Sequence, residues 1–202
     1  GWNRPEYTQM GMWPGDQHYQ RRYEYAAEYV QVLEALWKTG RCSFEGEFFT
    51  LNDCSVLPTP KRDIPLVCAG QSPAGREFVA EYAHHQFVLT SEANLISSVG
   101  DIRTKAEKYG RDVGVYALFH MIVEDSDALA QDRVDAIING ADQGAIANIL
   151  ASAGLDTNQG GTADQLKAAL DQSVEDGNMA FMGIPVIYGS PETVARRIKE
   201  VE

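Results

Sequence analysis

The residues best suited to chemistry gather around Ser72. It follows a short apolar run, Pro65-Leu66-Val67-Cys68, and a small-residue bend, Ala69-Gly70, and it precedes Pro73. Such a run suits a strand buried on both faces of a parallel sheet. Serine at the N-cap with proline at the first helical position is the usual chemistry of a helix start. A helix beginning there aims unpaired N–H groups and a positive dipole end at whatever lies above the strand. Ser72 and the amides after it therefore predict an anion site, and a phosphate in particular. A well-capped turn with no ligand has the same sequence grammar, so that alternative stays open at this point.

A second source of positive charge lies upstream. Arg21 and Arg22 fall in the first turns of a helix predicted over 20–38, where Tyr25, Tyr29, Val32, Leu33, Leu36 and Trp37 recur at three- and four-residue spacing. The helix dipole disfavours cations there, which makes sense if an anion sits nearby. Pairing with Glu24 or Glu28 on a solvated face is the competing explanation. Other candidates carry less. His120 on an apolar strand reads as a core histidine, and the adjacent His84 and His85 would point to opposite faces of a strand. Cys42, Cys54 and Cys68 lack metal-ligand spacing and read as small buried or half-buried residues. Their odd number argues against a disulfide scaffold, and a reducing cytoplasm follows. No metal site is expected, and GxGxxG, Walker, GxSxG and HExxH motifs are all missing. No acid–base pair stands out, so the catalytic residues stay unknown. An aromatic loop (Trp2, Tyr7, Trp13) beside an anion site favours a cofactor that carries the reaction. Flavin mononucleotide (FMN) fits, with one phosphate and one flat ring.

These groups need a scaffold, and the sequence punctuates one. Residues 1–20 read as a loop with a short helix at 5–10, and 41–60 as a small hairpin followed by a proline-rich crossing. The strand at 65–68 leads into a helix over 73–82. A strand at 85–90, a helix over 95–109 and one long strand over 113–123 come next. Helical periodicity then runs from Ser126 to about Leu150, before a polar, Gly-rich loop at 156–162 and a helix over 163–174. An apolar, proline-interrupted stretch at 178–188 precedes Gly189-Ser190-Pro191, which repeats the turn, N-cap and proline pattern and opens the last helix. The alternation of strand and helix argues for a parallel α/β architecture. Three parallel strands cannot close a barrel, which leaves an open sheet or part of an eight-stranded barrel. In either, a ligand sits at the carboxyl ends of the strands. The chain starts without Met and stops inside a helical pattern, so it reads as a segment of a larger domain. Its 202 residues are 44% hydrophobic and 23% charged, with a formal net charge of -12. That charge argues against nucleic acid or an anionic membrane as the main partner, and no apolar run approaches a membrane span.

Several stretches carry a resemblance. Gly1-Trp2-Asn3-Arg4-Pro5-Glu6-Tyr7, Trp13-Pro14-Gly15-Asp16, Arg21-Arg22-Tyr23, Phe44-Glu45-Gly46, Ala69-Gly70-Gln71-Ser72-Pro73 and Gly189-Ser190-Pro191-Glu192-Thr193 resemble the bacterial-luciferase-like flavin monooxygenases. Within them, residues 9–16, Asn52-Asp53-Cys54 and 68–72 are most similar to the branch that opens the uracil ring. The match is closest over the first ninety residues. The resemblance implies an α/β fold, a partial (β/α)8 TIM barrel, with residues 1–202 a segment of one barrel domain. Residues 126–188 would be an insertion near the site mouth, and the early strands and the last strand would lie outside the segment. It implies reduced FMN supplied by a flavin reductase using NADH or NADPH, and O2 as co-substrate. The substrate would be uracil or thymine, cleaved between N3 and C4 in pyrimidine catabolism. A homo-oligomer stays open. By resemblance, Glu6 faces the polar side of the flavin, while Arg22, Tyr23 and Ser72 face the phosphate; Glu6 and Tyr23 rest on the resemblance alone. Three alternatives remain: a monooxygenase of the same fold acting on an alkanesulfonate, sulfone or other small organic substrate; a deazaflavin-dependent oxidoreductase of the superfamily; and a flavin-binding module without turnover.

Overall fold

The computed structural model describes residues 4–153, 164 and 179–202. Two short helices, α1 (Arg4–Gln9) and α2 (Asp16–Gln20), lead into the long helix α3 (Arg22–Thr39). Its apolar face buries Val32 and Leu36, and Gly40 ends it in the left-handed conformation (φ 74°), donating to the Leu36 carbonyl at 2.8 Å. An antiparallel hairpin follows, β1 (Arg41–Glu45) and β2 (Thr50–Ser55), as expected from the sequence. Cys42, Phe44, Leu51 and Cys54 point inward from the hairpin and pack on Val32 and Leu36. The Glu28 carboxylate seats the hairpin turn, accepting from the backbone N–H groups of Glu47, Phe48 and Phe49 at 2.8, 2.9 and 3.1 Å. A bulge at Asn52 and Asp53, the latter with φ 49°, bends β2.

The central sheet has three parallel strands in the order β3 (Val67–Cys68), β4 (His85–Val88), β5 (Gly114–Ala117). Helices α4 (Pro73–Tyr82) and α5 (Glu92–Glu107) make the crossovers that parallel pairing requires. They bury Val79, Ala80, Ile102 and Ala106 with Ala83 and Val113 in a fully enclosed cluster, against which Cys68 and Val115 pack. Each large aliphatic side chain buried there contributes roughly 1.5–3 kcal/mol.

Two expectations are corrected beyond this sheet. The single strand predicted over 113–123 is two strands, β5 and β6 (His120–Val123), separated at Leu118 and Phe119. They belong to different sheets because they answer to different neighbours. Leu118 N–H still reaches Val88 O at 3.3 Å, whereas His120 N–H donates to Pro185 O at 2.9 Å. The apolar stretch before Gly189 contains a strand, β7 (Val186–Gly189), parallel to β6. Five strands in parallel pairs are thus present among the described residues, against three expected. The helical run from Ser126 is likewise two helices, α6 (Asp127–Asn139) and α7 (Gln143–Ala153), interrupted at Gly140. The last helix, α8 (Pro191–Val201), starts at Ser190 as expected. The loop expected at 156–162 and the helix over 163–174 lie outside the described residues, apart from Asp164.

Three of the four histidines have a defined neighbour. His85 stacks on Tyr116 (centroids 4.6 Å, planes 14° apart), in space that Gly114 leaves by lacking a Cβ. His84 sits before β4, not on it, and its Nδ1 accepts from Leu66 N–H at 3.0 Å. His120 is half-buried against Phe181. Cys42 is buried and Cys54 and Cys68 are half-buried, all as thiols.

Candidate active site

Ser72 stands where β3 ends and α4 begins. Its backbone is extended (φ -64°, ψ 161°), its Oγ accepts from Gly75 N–H at 3.1 Å, and Pro73 occupies the first helical turn. The Tyr23 hydroxyl, from the first turn of α3, lies 3.5 Å from Ser72 Oγ. Two glycines make this approach feasible. A Cβ on Gly75 would stand 2.5 Å from the Tyr23 hydroxyl oxygen and 2.9 Å from the Gly70 backbone, and a Cβ on Gly70 would stand 2.9 Å from Gly75 Cα. The strand end and the helix start therefore touch backbone to backbone, and methyl groups would fill the cradle. The Tyr23 ring is anchored by Phe78 at 5.7 Å, which stacks in turn on Tyr82 at 5.2 Å.

Two glutamines fix the height of this turn. Gln71 donates Nε2–H to Leu89 O at 3.2 Å and accepts from Leu89 N–H through Oε1 at 2.9 Å. Gln86, 1% exposed in the middle of β4, donates to Gly70 O at 2.8 Å. Arg76 is turned away from the helix start: it donates to Gln71 O at 3.0 Å and pairs with Asp101 at 2.7 Å. Neither glutamine was given a role from sequence: Gln71 lay within a stretch that carried the resemblance, and Gln86 stood in no motif.

The two upstream arginines separate. Arg21 is bound by Glu24 and Glu47 and lies over the Phe48 ring, so it is held by carboxylates on the hairpin side. Arg22 instead lies over the Tyr23 ring, 4.8 Å from its centroid. Arg22, Tyr23 and Ser72 thus form one chain of contacts. Glu6, the fourth residue expected there, is exposed on α1.

The other Ser-Pro helix start shows what an anion does in such a place. At α8, Ser190 N–H donates to Asp127 Oδ1 at 2.7 Å, and the Thr193 hydroxyl donates to Asp127 Oδ2 at 3.1 Å. The Ser190 backbone bond and the Thr193 hydroxyl bond hold the Asp127 carboxyl below its ordinary range. Gly189 (φ 146°) leaves room for that carboxylate, since a Cβ there would lie 2.8 Å from Oδ1. At α4 the corresponding turn carries the Ser72 and Tyr23 hydroxyls, and the Arg22 guanidinium lies over the Tyr23 ring. Helix amides, hydroxyls and a guanidinium are the donor set that a phosphate monoester needs.

The sequence profile described as luciferase-like monooxygenase matches residues 1–202. The chain belongs to this family. It is 40% identical over 205 residues to pyrimidine monooxygenase RutA of Enterobacter cloacae, covering 100% of this chain and 55% of that protein. The Cronobacter sakazakii protein of the same name is 39% identical, with 100% of this chain and 59% of that one covered. The chain thus spans little more than half the length of these relatives. Among solved structures it is similar to DmoA from Hyphomicrobium sulfonivorans (TM-score 0.76, 24% identity, 97% of this chain and 52% of that one). It is similar also to the long-chain alkane monooxygenase LadA (TM-score 0.69, 22% identity, 90% and 49%). These likenesses establish the fold: an α/β arrangement that forms part of a luciferase-like barrel. No helix among the described residues is long and apolar enough to cross a membrane.

Proposed function

We propose that the protein is an FMN-dependent monooxygenase that opens the pyrimidine ring of uracil between N3 and C4. The observation that carries the cofactor assignment is the meeting of the Tyr23 and Ser72 hydroxyls at the α4 start, 3.5 Å apart, with Arg22 against the Tyr23 ring. Ser72, the Ala74 N–H in the first α4 turn and Tyr23 bind the phosphate, and Arg22 supplies the positive charge that a chain of net charge -12 must provide locally. Glu6 serves the polar side of the flavin ring. Bound reduced FMN supplies the electrons with which O2 is activated. The chain's own residues orient cofactor and substrate and keep water out. Uracil as substrate is supported by 40% identity along the whole chain to proteins named pyrimidine monooxygenase. A flavin reductase using NADH or NADPH is the partner this reading requires.

The test supplies the protein with uracil, FMN, a flavin reductase, NADH and O2, and monitors uracil loss and formation of the ring-opened product. Loss of uracil above reductase-only controls is expected. Turnover of an alkanesulfonate or a sulfone with no turnover of uracil overturns the substrate, and failure to bind FMN overturns the cofactor.

A further inference from the structure

The hairpin carries a pair of thiols that the proposed reaction does not use. Cys42 and Cys54 are direct cross-strand partners in the β1–β2 register, and both side chains lie on the inward face against α3. Val56 N–H donates to Gly40 O at 3.0 Å, and the antiparallel alternation makes Cys42 and Cys54 the next hydrogen-bonded pair along the ladder. Residues so placed have Cα atoms about 5.5 Å apart, inside the range that disulfides span, with Cβ atoms at the wide end of cross-strand spacing, so the bond closes by drawing the strands slightly together. The two thiols differ in access: Cys42 is 7% exposed, whereas Cys54 is only half-buried.

We propose that Cys42 and Cys54 are a reversible dithiol–disulfide pair, oxidised by hydrogen peroxide. Cys54 is the residue that peroxide reaches. Its sulfur attacks one peroxide oxygen, the thiol proton passes to the departing oxygen as the O–O bond breaks, and a sulfenic acid and one water are left. The Cys42 sulfur attacks the sulfenic sulfur, the S–O bond breaks, the S–S bond forms and a second water leaves. In sum, two thiols lose two electrons and two protons, and one peroxide becomes two waters. Reduced flavin left with O2 and no substrate produces this oxidant, a source that rests on the function proposed above. Peroxide added from outside tests the pair independently of it. The hairpin turn is tied to α3 through Glu28, so the crosslink would lock the brace of the helix that carries Arg22 and Tyr23.

Cys68 serves as an internal reference. It lies in the central sheet, away from the hairpin, and burial raises its thiol pKa, which keeps it unreactive. The experiment treats the folded protein with peroxide, denatures it, alkylates the remaining thiols and maps the peptides without reduction. Cys68 alone should be alkylated, a Cys42–Cys54 linked peptide should appear, and dithiothreitol should restore all three alkylations. After the same treatment, Cys54→Ser should leave Cys42 fully alkylated. Three alkylated thiols after peroxide, a Cys54 oxidised to sulfinic acid beside an intact Cys42 thiol, or crosslinks between chains would each overturn the proposal.

Discussion

The Tyr23 hydroxyl rests 3.5 Å from Ser72 Oγ, joining the first turn of α3 to the N-cap of α4 across 49 residues of sequence. Both oxygens also have the first α4 turn within reach. If they share one phosphate, Ser72→Ala and Tyr23→Phe should each weaken FMN binding by about 0.5–1.5 kcal/mol, and Arg22→Ala by roughly 1–3 kcal/mol. Titration of flavin fluorescence measures all three. Unchanged affinity in Arg22→Ala would remove the guanidinium from the site.

Gly75→Ala probes the cradle. The added methyl could displace the Tyr23 hydroxyl, but the Gly70 backbone at 2.9 Å has nowhere to go. Overpacking of this kind costs about 1–3 kcal/mol, so the denaturant midpoint should fall and FMN affinity should fall with it. A variant as stable and as tight-binding as the parent would show that the two backbones do not touch.

Gln86→Leu keeps the volume of a fully buried side chain and removes the partner of Gly70 O. Losing the bond to this half-buried carbonyl costs about 0.5–1.5 kcal/mol, readable in chemical denaturation. FMN affinity should drop as well, because the turn loses its support. Loss of stability with no change in affinity would confine Gln86 to the fold.

Asp127 predicts a pH dependence. Its carboxyl is held low by the Ser190 and Thr193 bonds, so the unfolded chain binds its proton more readily than the folded one does. The stabilisation is complete above the ordinary aspartate range and is lost as pH falls through the lowered folded value. Asp127→Asn should therefore be less stable at neutral pH, and the gap to the parent should close on acidification. Parallel melting curves from neutral to acid pH would sink this account.

The local frame of the candidate site was legible because its first layer obeys local rules. Ser72 and Pro73 announce a helix start wherever they occur, and Arg22 stands out as a cation where the dipole opposes it. The second layer was not legible. Gln71 and Gln86 act across 18 and 16 residues of sequence through lone side-chain amides, which leave no periodic trace. The same division holds for the fold. Strand alternation through 113–123 is continuous, and only the choice of neighbours, β4 for one half and β7 for the other, breaks it in two. β7 itself was hidden by Pro185, which immediately precedes it, lends only its carbonyl to the ladder and makes the stretch look interrupted.

The two-residue pairing of β3 with β4 has a further consequence. A ladder so short gives little mechanical definition to the turn beyond it, and the Gln71 and Gln86 amides supply the rest. The elevation of the Ser72 turn is thus encoded at two side-chain positions and not in the main chain. Exchanging those two residues would raise or lower the turn while the strand ladders stay as they are.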